Sequence, residues 1–320
     1  MYRLMVQQEA RPWGTLAHRR ASFARNPRVS VISHFFNAER YFVEAIESVL
    51  AQEFEDFELL LVDDGATDAS SAIAQEYASA HPNRVCYIHH PGRENRGISA
   101  SRNLGLSAAR GEIVGFIDAD DRWRPNKLGD QVTLFDEHPD ASAVCGAVNY
   151  WASWSGGRDR VYRTGHAQDR KVYPPNALLA WYPLGNCASP SMSDIMFRRE
   201  AALKVGGFDE SFARGYTEYP FLTKFYLTEI IYVSSDIWSD YRQHDESCMA
   251  ELTRQGSDKL VRARFLDSLE DRLARTSHEH HISVHLALER ARRRSTQRTF
   301  KDRLNPALER LRGLVRERRS

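Results

Sequence analysis

Short apolar runs alternate with longer stretches at helical spacing, beginning at Arg28 and recurring down the chain. Val29 to Ser33 predicts a strand. Ala38 to Gln52 sets Phe42, Ala45, Ile46, Val49 and Leu50 on one face, which predicts a helix. Glu58 to Val62 predicts a second strand, stopped by Asp63-Asp64-Gly65. Asp68 then suits the cap of a helix carrying Ile73 and Tyr77. A strand over Val85 to Ile88, a helix over Ile98 to Ala109 ending at Gly111, and a strand over Glu112 to Ile117 continue the rhythm. Pro125 suits the first turn of a helix running to about His138, and Ala143 to Val148 predicts another strand. Residues 151–172, rich in Gly, Arg, Trp and Ser, read as an exposed insertion. Beyond it come a strand over Ile195 to Phe197 and a helix over Arg199 to Val205. A short helix over Phe221 to Leu227 and a late strand over Ile230 to Val233 follow. Strand followed by helix, repeated, predicts an α/β fold with a mostly parallel central sheet flanked by helices.

The ends of the chain differ from this body. Residues 1–27 are polar and Arg-rich and read as a mobile arm closed by Asn26-Pro27, which puts the main domain at 28–250. From 251 to 320 the pattern is a helical, Arg-rich C-terminal extension. Across Arg290 to Ser320 the local excess is nine positive charges, whereas the whole chain of 320 residues carries only +1. That overall balance makes no case for nucleic acid as a partner. The basic tail alone suits a peripheral contact with anionic lipid or an acidic partner, and a plain solvated helix fits it equally well. Cys86, Cys145, Cys187 and Cys248 are scattered, with no Cys-x-x-Cys pair, which suits a reducing compartment. No signal-peptide core or membrane-length apolar run stands out. The expected location is therefore cytoplasmic, with the tail leaving open a peripheral place at the inner membrane face.

Candidate chemistry gathers where strands end. Gly115-Phe116-Ile117-Asp118-Ala119-Asp120-Asp121 sets three carboxylates within four positions straight after a buried strand. Asp is a common turn residue. However, in an open parallel sheet the strand ends are also where ligands bind, and such a cluster can hold Mg²⁺ or Mn²⁺. Asp118 and Asp120, two apart, would project from one strand end. Asp63-Asp64 ends a neighbouring strand, where a carboxylate can accept from a base N–H or a ribose hydroxyl. The first strand ends in polar groups too, over Ser33 to Asn37. Arg102, near Asn95-Arg96-Gly97, is a candidate phosphate clamp, because guanidinium matches phosphate oxygens bidentately. Trp151, Trp154, Trp181 and Tyr182 are candidates for stacking on acceptor sugars, against the commoner role of aromatic core. His278-Glu279-His280-His281 looks metal-like but sits in the charged helical tail and reads as solvated.

Taken in order, several segments resemble the family 2 glycosyltransferases. They are Val29-Ser30-Val31-Ile32, Phe35-Phe36-Asn37, Val62-Asp63-Asp64-Gly65-Ala66-Thr67-Asp68, Asn95-Arg96-Gly97, Ser101-Arg102-Asn103 and Asp118-Ala119-Asp120-Asp121. The resemblance runs on through Gly206-Gly207-Phe208-Asp209-Glu210 and Tyr241-Arg242-Gln243-His244, covering about residues 28–250. It implies a GT-A fold and an inverting, metal-dependent transferase using a nucleotide-diphosphate sugar donor. On that mapping Ser33, Phe35, Asn37, Asp63, Asp64, Arg96, Arg102 and Asp118 face the nucleotide sugar, and Asp118, Asp120 and His244 hold Mn²⁺ or Mg²⁺. The acceptor is a glycan, a lipid-linked sugar or a protein. Two positions depart from the family pattern. His34 stands where a proline is usual, and Thr217-Glu218 stands where the family has Glu-Asp, so Glu218 takes the place of the base. The rival expectation is a relative that binds a nucleotide sugar or a partner protein without transferring anything. A nucleotidyltransferase would show a Gly-rich basic loop after the first strand, and a dinucleotide dehydrogenase a Gly-x-Gly-x-x-Gly there. Ser33-His34-Phe35-Phe36-Asn37 is neither.

Overall fold

The computed structural model describes residues 26–165, 168–275 and 282–294. Most of the N-terminal arm, the His278–His281 cluster and the basic tail beyond 294 lie outside these.

The alternating pattern yields β1 (Val29–Phe35), α1 (Phe42–Leu50), β2 (Phe57–Asp63), α2 (Ser70–Ala80), β3 (Val85–His89), α3 (Ile98–Ala108) and β4 (Ile113–Phe116). There follow β5 (Arg122–Trp123), α4 (Lys127–Glu137), β6 (Ala143–Trp151), β7 (Arg160–Tyr162), β8 (Arg170–Val172), α5 (Asn176–Ala180), β9 (Met196–Arg198) and α6 (Arg199–Lys204). The chain continues through α7 (Tyr219–Thr228), β10 (Ile231–Arg242), α8 (Cys248–Arg254) and α9 (Asp258–Arg275). Residues 282–294 form a further helical run.

One sheet has the order β3-β2-β1-β4-β9-β6-β10-β5, with β7 beside β6 and β8 beside β10. The expected parallel arrangement governs β3, β2, β1 and β4, in the register Val31↔Leu59 and Ile32↔Phe116. β6 and β10 are also parallel, while β9, β7, β8 and β5 run antiparallel to their neighbours. The parallel strands therefore end on one edge, the place where open α/β sheets bind ligands.

Period-two alternation sorts the strand residues onto two faces. Val29, Val31, Leu59 and Leu61 pack with Phe42, Ile46, Val49 and Phe135 under α1 and α4. Ile32, Leu60 and Val62 belong to the opposite core with Leu104, Phe221, Phe225, Phe265 and Leu269. A sheet covered on both sides explains why its strands are apolar at nearly every position. Phe265, Leu266, Leu269 and Leu273 of α9, with Val284 and Leu288 after it, are buried in that second core. α9 lies against α7, the helix that follows Glu218.

Strand β10 runs far past the expected Ile230–Val233. Its pairing with β6 shifts between Val233 and Ile237, so Ser234, Ser235 and Asp236 interrupt the alternation without ending the strand. No helix among the described residues is long and apolar enough to cross a membrane.

Candidate active site

A cavity of about 1600 Å³ opens along the edge where β1, β2 and β4 end. It is larger than the roughly 300–1,000 Å³ of an ordinary small-molecule site, leaving space for two substrates. His34, Phe35, Asn37, Asp64, Arg102, Asp118, Asp120, Glu218 and His244 all line it. The carboxylates that sequence placed at separate strand ends thus meet around one hollow.

The β2 end is held by backbone donors. Asp64 is 2% exposed and accepts the Arg96 N–H at 2.7 Å and the Gly97 N–H at 3.0 Å, which fastens it to the start of α3. Burial raises its carboxyl above the usual range, against the pull of those amides. A carboxylate has about four lone-pair sites, so acceptor capacity remains for a ligand N–H or hydroxyl. Gly65 makes the turn possible: its φ is +78°, and a Cβ there would lie 2.7 Å from the Arg93 carbonyl oxygen. Asp63 lies outside the cavity lining. It accepts the Ala66 N–H at 2.8 Å and the hydroxyls of Ser71 at 2.5 Å and Tyr87 at 2.6 Å.

The other expected nucleotide-side residues divide. Asn37, at φ +50°, accepts the Thr67 N–H at 2.8 Å and faces the cavity. Phe35 packs on Phe42 at 4.5 Å between ring centroids, and its carbonyl accepts the Asp64 N–H at 3.0 Å. Ser33 is buried beneath the lining, and its hydroxyl meets no partner among the described residues. The Arg96 side chain is exposed and enters the site only through its backbone N–H.

Around β4 the three carboxylates take three partners. Asp118 accepts from the Arg102 guanidinium at 2.8 Å. Burial opposes its ionisation, but the guanidinium holds its carboxyl below the usual range. Arg102 is itself 3% exposed and also donates to Thr217 Oγ1 at 3.2 Å, so it is an inward-facing residue of α3. Asp121 accepts from the Ser193 hydroxyl at 2.5 Å and from the Arg242 N–H at 3.0 Å, tying the β4 loop to β10. Asp120 Oδ2 stands 2.9 Å from His244 Nε2, while His244 Nδ1 is buried with no partner. Among the described residues no group of three His, Cys, Asp or Glu side chains is gathered for a metal. Asp120 and His244 therefore stand as a pair, with Asp118 drawn towards Arg102.

Glu218 occupies the residue before α7, and Pro220 fits the first helical turn, which lacks amide partners in any case. Its Oε2 accepts from the Thr217 hydroxyl at 3.1 Å. Burial raises its carboxyl above the usual range, with Arg102 acting against the shift. A half-buried carboxyl with a raised pKa in a cleft suits general base chemistry.

Of the four aromatics proposed for sugar stacking, Tyr182 alone lines the cavity. Trp181 packs at 5.0 Å on Tyr226 in the core. Trp151 lies under the guanidiniums of Arg122 at 4.0 Å and Arg242 at 4.3 Å, and Trp154 packs edge-on to Tyr41. Arg242, which the sequence offers only as part of a matching segment, donates to the Asp120 carbonyl at 2.7 Å and pairs with Glu44. Tyr241 of the same segment lines the cavity beside the acidic loop, as do Tyr150 and Tyr162, which no sequence expectation named.

Residues 30–205 match the family model described as Glycosyl transferase family 2. An uncharacterized glycosyltransferase of Nostoc sp. is 33% identical over 182 residues, 57% of this chain and 54% of its own length. The minor teichoic acid biosynthesis protein GgaB of Bacillus subtilis is 40% identical over 111 residues, covering 34% of this chain and 12% of its own. The chain thus spans about half the length of the first relative and much less of the second. Among solved structures, S. aureus TarS in complex with UDP-GlcNAc aligns with a TM-score of 0.55 at 25% identity, over 70% of this chain and 60% of that one. The mannosyltransferase PcManGT from Pyrobaculum calidifontis, in complex with GDP-Man and Mn²⁺, aligns at 0.56 and 20% identity, over 86% and 74%. That second likeness is one of fold, the α/β GT-A arrangement with its curled sheet.

Proposed function

Because the chain belongs to glycosyl transferase family 2, we propose that it moves a hexose from a nucleotide-diphosphate donor to an acceptor hydroxyl with inversion, in the synthesis of a polysaccharide or cell-surface glycan. The observation that carries this is the shared cavity lined by Asp64, Asp118, Asp120, Glu218 and His244. Asp64 and Asn37 at the β1 and β2 ends receive the nucleoside, and Arg102 fixes the orientation of Asp118. Glu218 takes the acceptor proton, and its raised carboxyl makes it a stronger base than an exposed glutamate. One-step attack from the face opposite the diphosphate inverts the anomeric carbon.

The Asp120–His244 pair fits a divalent cation. A carboxylate oxygen and an imidazole nitrogen face each other, and both line the cavity. Mn²⁺ or Mg²⁺ held by Asp120 and His244 would supply positive charge for a departing diphosphate. The acceptor is a glycan, a lipid-linked sugar or a protein. A reducing, cytoplasmic setting is supported by the lack of any disulfide among the four cysteines.

A second reading, binding without transfer, is favoured by the Arg102–Asp118 pairing, which leaves Asp118 turned from Asp120 and His244. Thermal unfolding with UDP, GDP and their sugars, with and without Mn²⁺, followed by release of nucleoside diphosphate, separates the two. The transferase reading expects stabilisation and slow Mn²⁺-dependent release. Stabilisation without release would leave the binding protein.

A further inference from the structure

The cavity has a second wall that the donor chemistry does not use. β6 and β10 pair Tyr150 with Tyr241, and their ring centroids lie 5.1 Å apart. β7 pairs with β6 so that Tyr162 faces Val148, diagonal to Tyr150, and their centroids lie 4.3 Å apart. Diagonal and directly opposed positions share one face of a sheet and lie within reach of aromatic side chains. Val148 and all three tyrosines line the cavity. The residues between them face the other way: Asn149 donates to Asp240 at 2.9 Å, and Trp151 sits beneath two guanidiniums.

Strand order places this wall relative to the donor. Asp64 ends β2, Asp120 follows β4, and the tyrosines stand on β6, β7 and β10, with β9 between β4 and β6. A ligand running from Asp64 past Asp120 therefore arrives at the tyrosines with its transferring end. Each ring there offers an apolar face with a hydroxyl at its rim, the complement of a pyranose with its C–H face and hydroxyl edge.

We propose that Tyr150, Tyr162 and Tyr241 form a carbohydrate subsite that stacks a pyranose of the acceptor, an assignment resting on the transferase reading above. Tyr162 carries the most accessible ring, 39% exposed on the short strand β7, so truncating it removes a stacking face without opening the core.

The test uses the full chain and saturation-transfer NMR with methyl glucoside, methyl galactoside, methyl mannoside and methyl N-acetylglucosaminide, in the presence of Mg²⁺ and UDP or GDP. At least one pyranoside should receive saturation at its ring C–H protons. Tyr162→Ala should weaken that binding about fivefold to tenfold, and Tyr162→Trp should retain it. Absence of binding by every pyranoside to the native chain overturns the subsite, as does equal binding by Tyr162→Ala. Nucleotide-induced thermal stabilisation is read on the same samples. A nucleotide that stabilises both forms while no glycoside binds defeats the subsite alone. Lack of any nucleotide effect defeats the transferase reading, and the subsite assignment with it.

Discussion

The acidic ends of β2 and β4 look alike in sequence, each a buried strand running into carboxylates, yet the structure surrounds them differently. Asp63 and Asp64 accept hydrogen bonds from three backbone N–H groups and two hydroxyls, with the His90 imidazole standing off at 3.7 Å from Asp64. At β4 only Asp121 is treated that way, by Ser193 and the Arg242 N–H. Asp118 faces a guanidinium and Asp120 an imidazole, both of them side chains that line the cavity. Backbone and hydroxyl donors fix a carboxylate as part of the scaffold, whereas cavity-lining side chains can exchange it for whatever enters. On the proposed transferase reading, the first end shapes the site and the second carries its chemistry.

The sharpest way to break this contrast is Asp120→Asn. It should lower metal-dependent release of nucleoside diphosphate by about 10³-fold, the scale of losing one electrostatic stabiliser, with no fall in melting temperature. Unchanged turnover would remove Asp120 from the chemistry. Next is Glu218→Gln, with an expected loss of about 10²-fold in transfer. Its pH dependence has a definite sign. Because burial raises the Glu218 carboxyl, the rising acid limb of the rate should lie above the ordinary glutamate range near pH 4.3 and vanish in the variant. Stability moves oppositely: the buried carboxyl is tolerated when protonated, so native stability falls as pH rises through its raised pKa, and Gln removes that fall.

Asp63→Ala probes the scaffold end. It leaves the Ser71 and Tyr87 hydroxyls and the Ala66 N–H without their acceptor, and should cost about 3 kcal/mol. Melting would drop by several degrees. If instead the melt held and donor affinity alone fell, Asp63 would belong to the binding surface. A smaller loss, about 2 kcal/mol, is expected for Gly65→Ala, which forces φ +78° on a residue with a Cβ and presses it against the Arg93–Asn95 backbone.

Much of this contrast was legible beforehand, because it depends on period and punctuation. Alternating apolar runs located β1, β2, β3 and β4 within a residue or two, and strand ends marked the cavity. What escaped depends on partners distant in sequence. Nothing near Asp63 announces Tyr87, and nothing near Asp121 announces the Arg242 N–H, 121 positions away. The Arg102 side chain is expected as a phosphate clamp, and its burial against Asp118 is visible only in the fold. The expected strand over Ala143 to Val148 stops short of Tyr150 and Trp151; the observed strand runs to Trp151, and its alternation places the two on opposite faces. In β10, Ser234-Ser235-Asp236 looked like a strand end because a shift in register breaks the alternation there.

The finest separation of scaffold from chemistry concerns Arg96, whose N–H binds Asp64 at 2.7 Å while its side chain lies in solvent. Sequence suggested the guanidinium as a donor contact; the geometry gives the backbone a role that any residue except proline can fill. Arg96→Ala should therefore leave thermal stability within about 0.5 kcal/mol of the native chain. Arg96→Pro, lacking the donor, should cost about 1–3 kcal/mol, because Asp64 stays buried with one acceptor unmet. Equal melting of the two variants would mean that the amide clasp does not hold the β2 end. A drop for Arg96→Ala alone would move the guanidinium into the scaffold and blur the line between the two acidic strand ends.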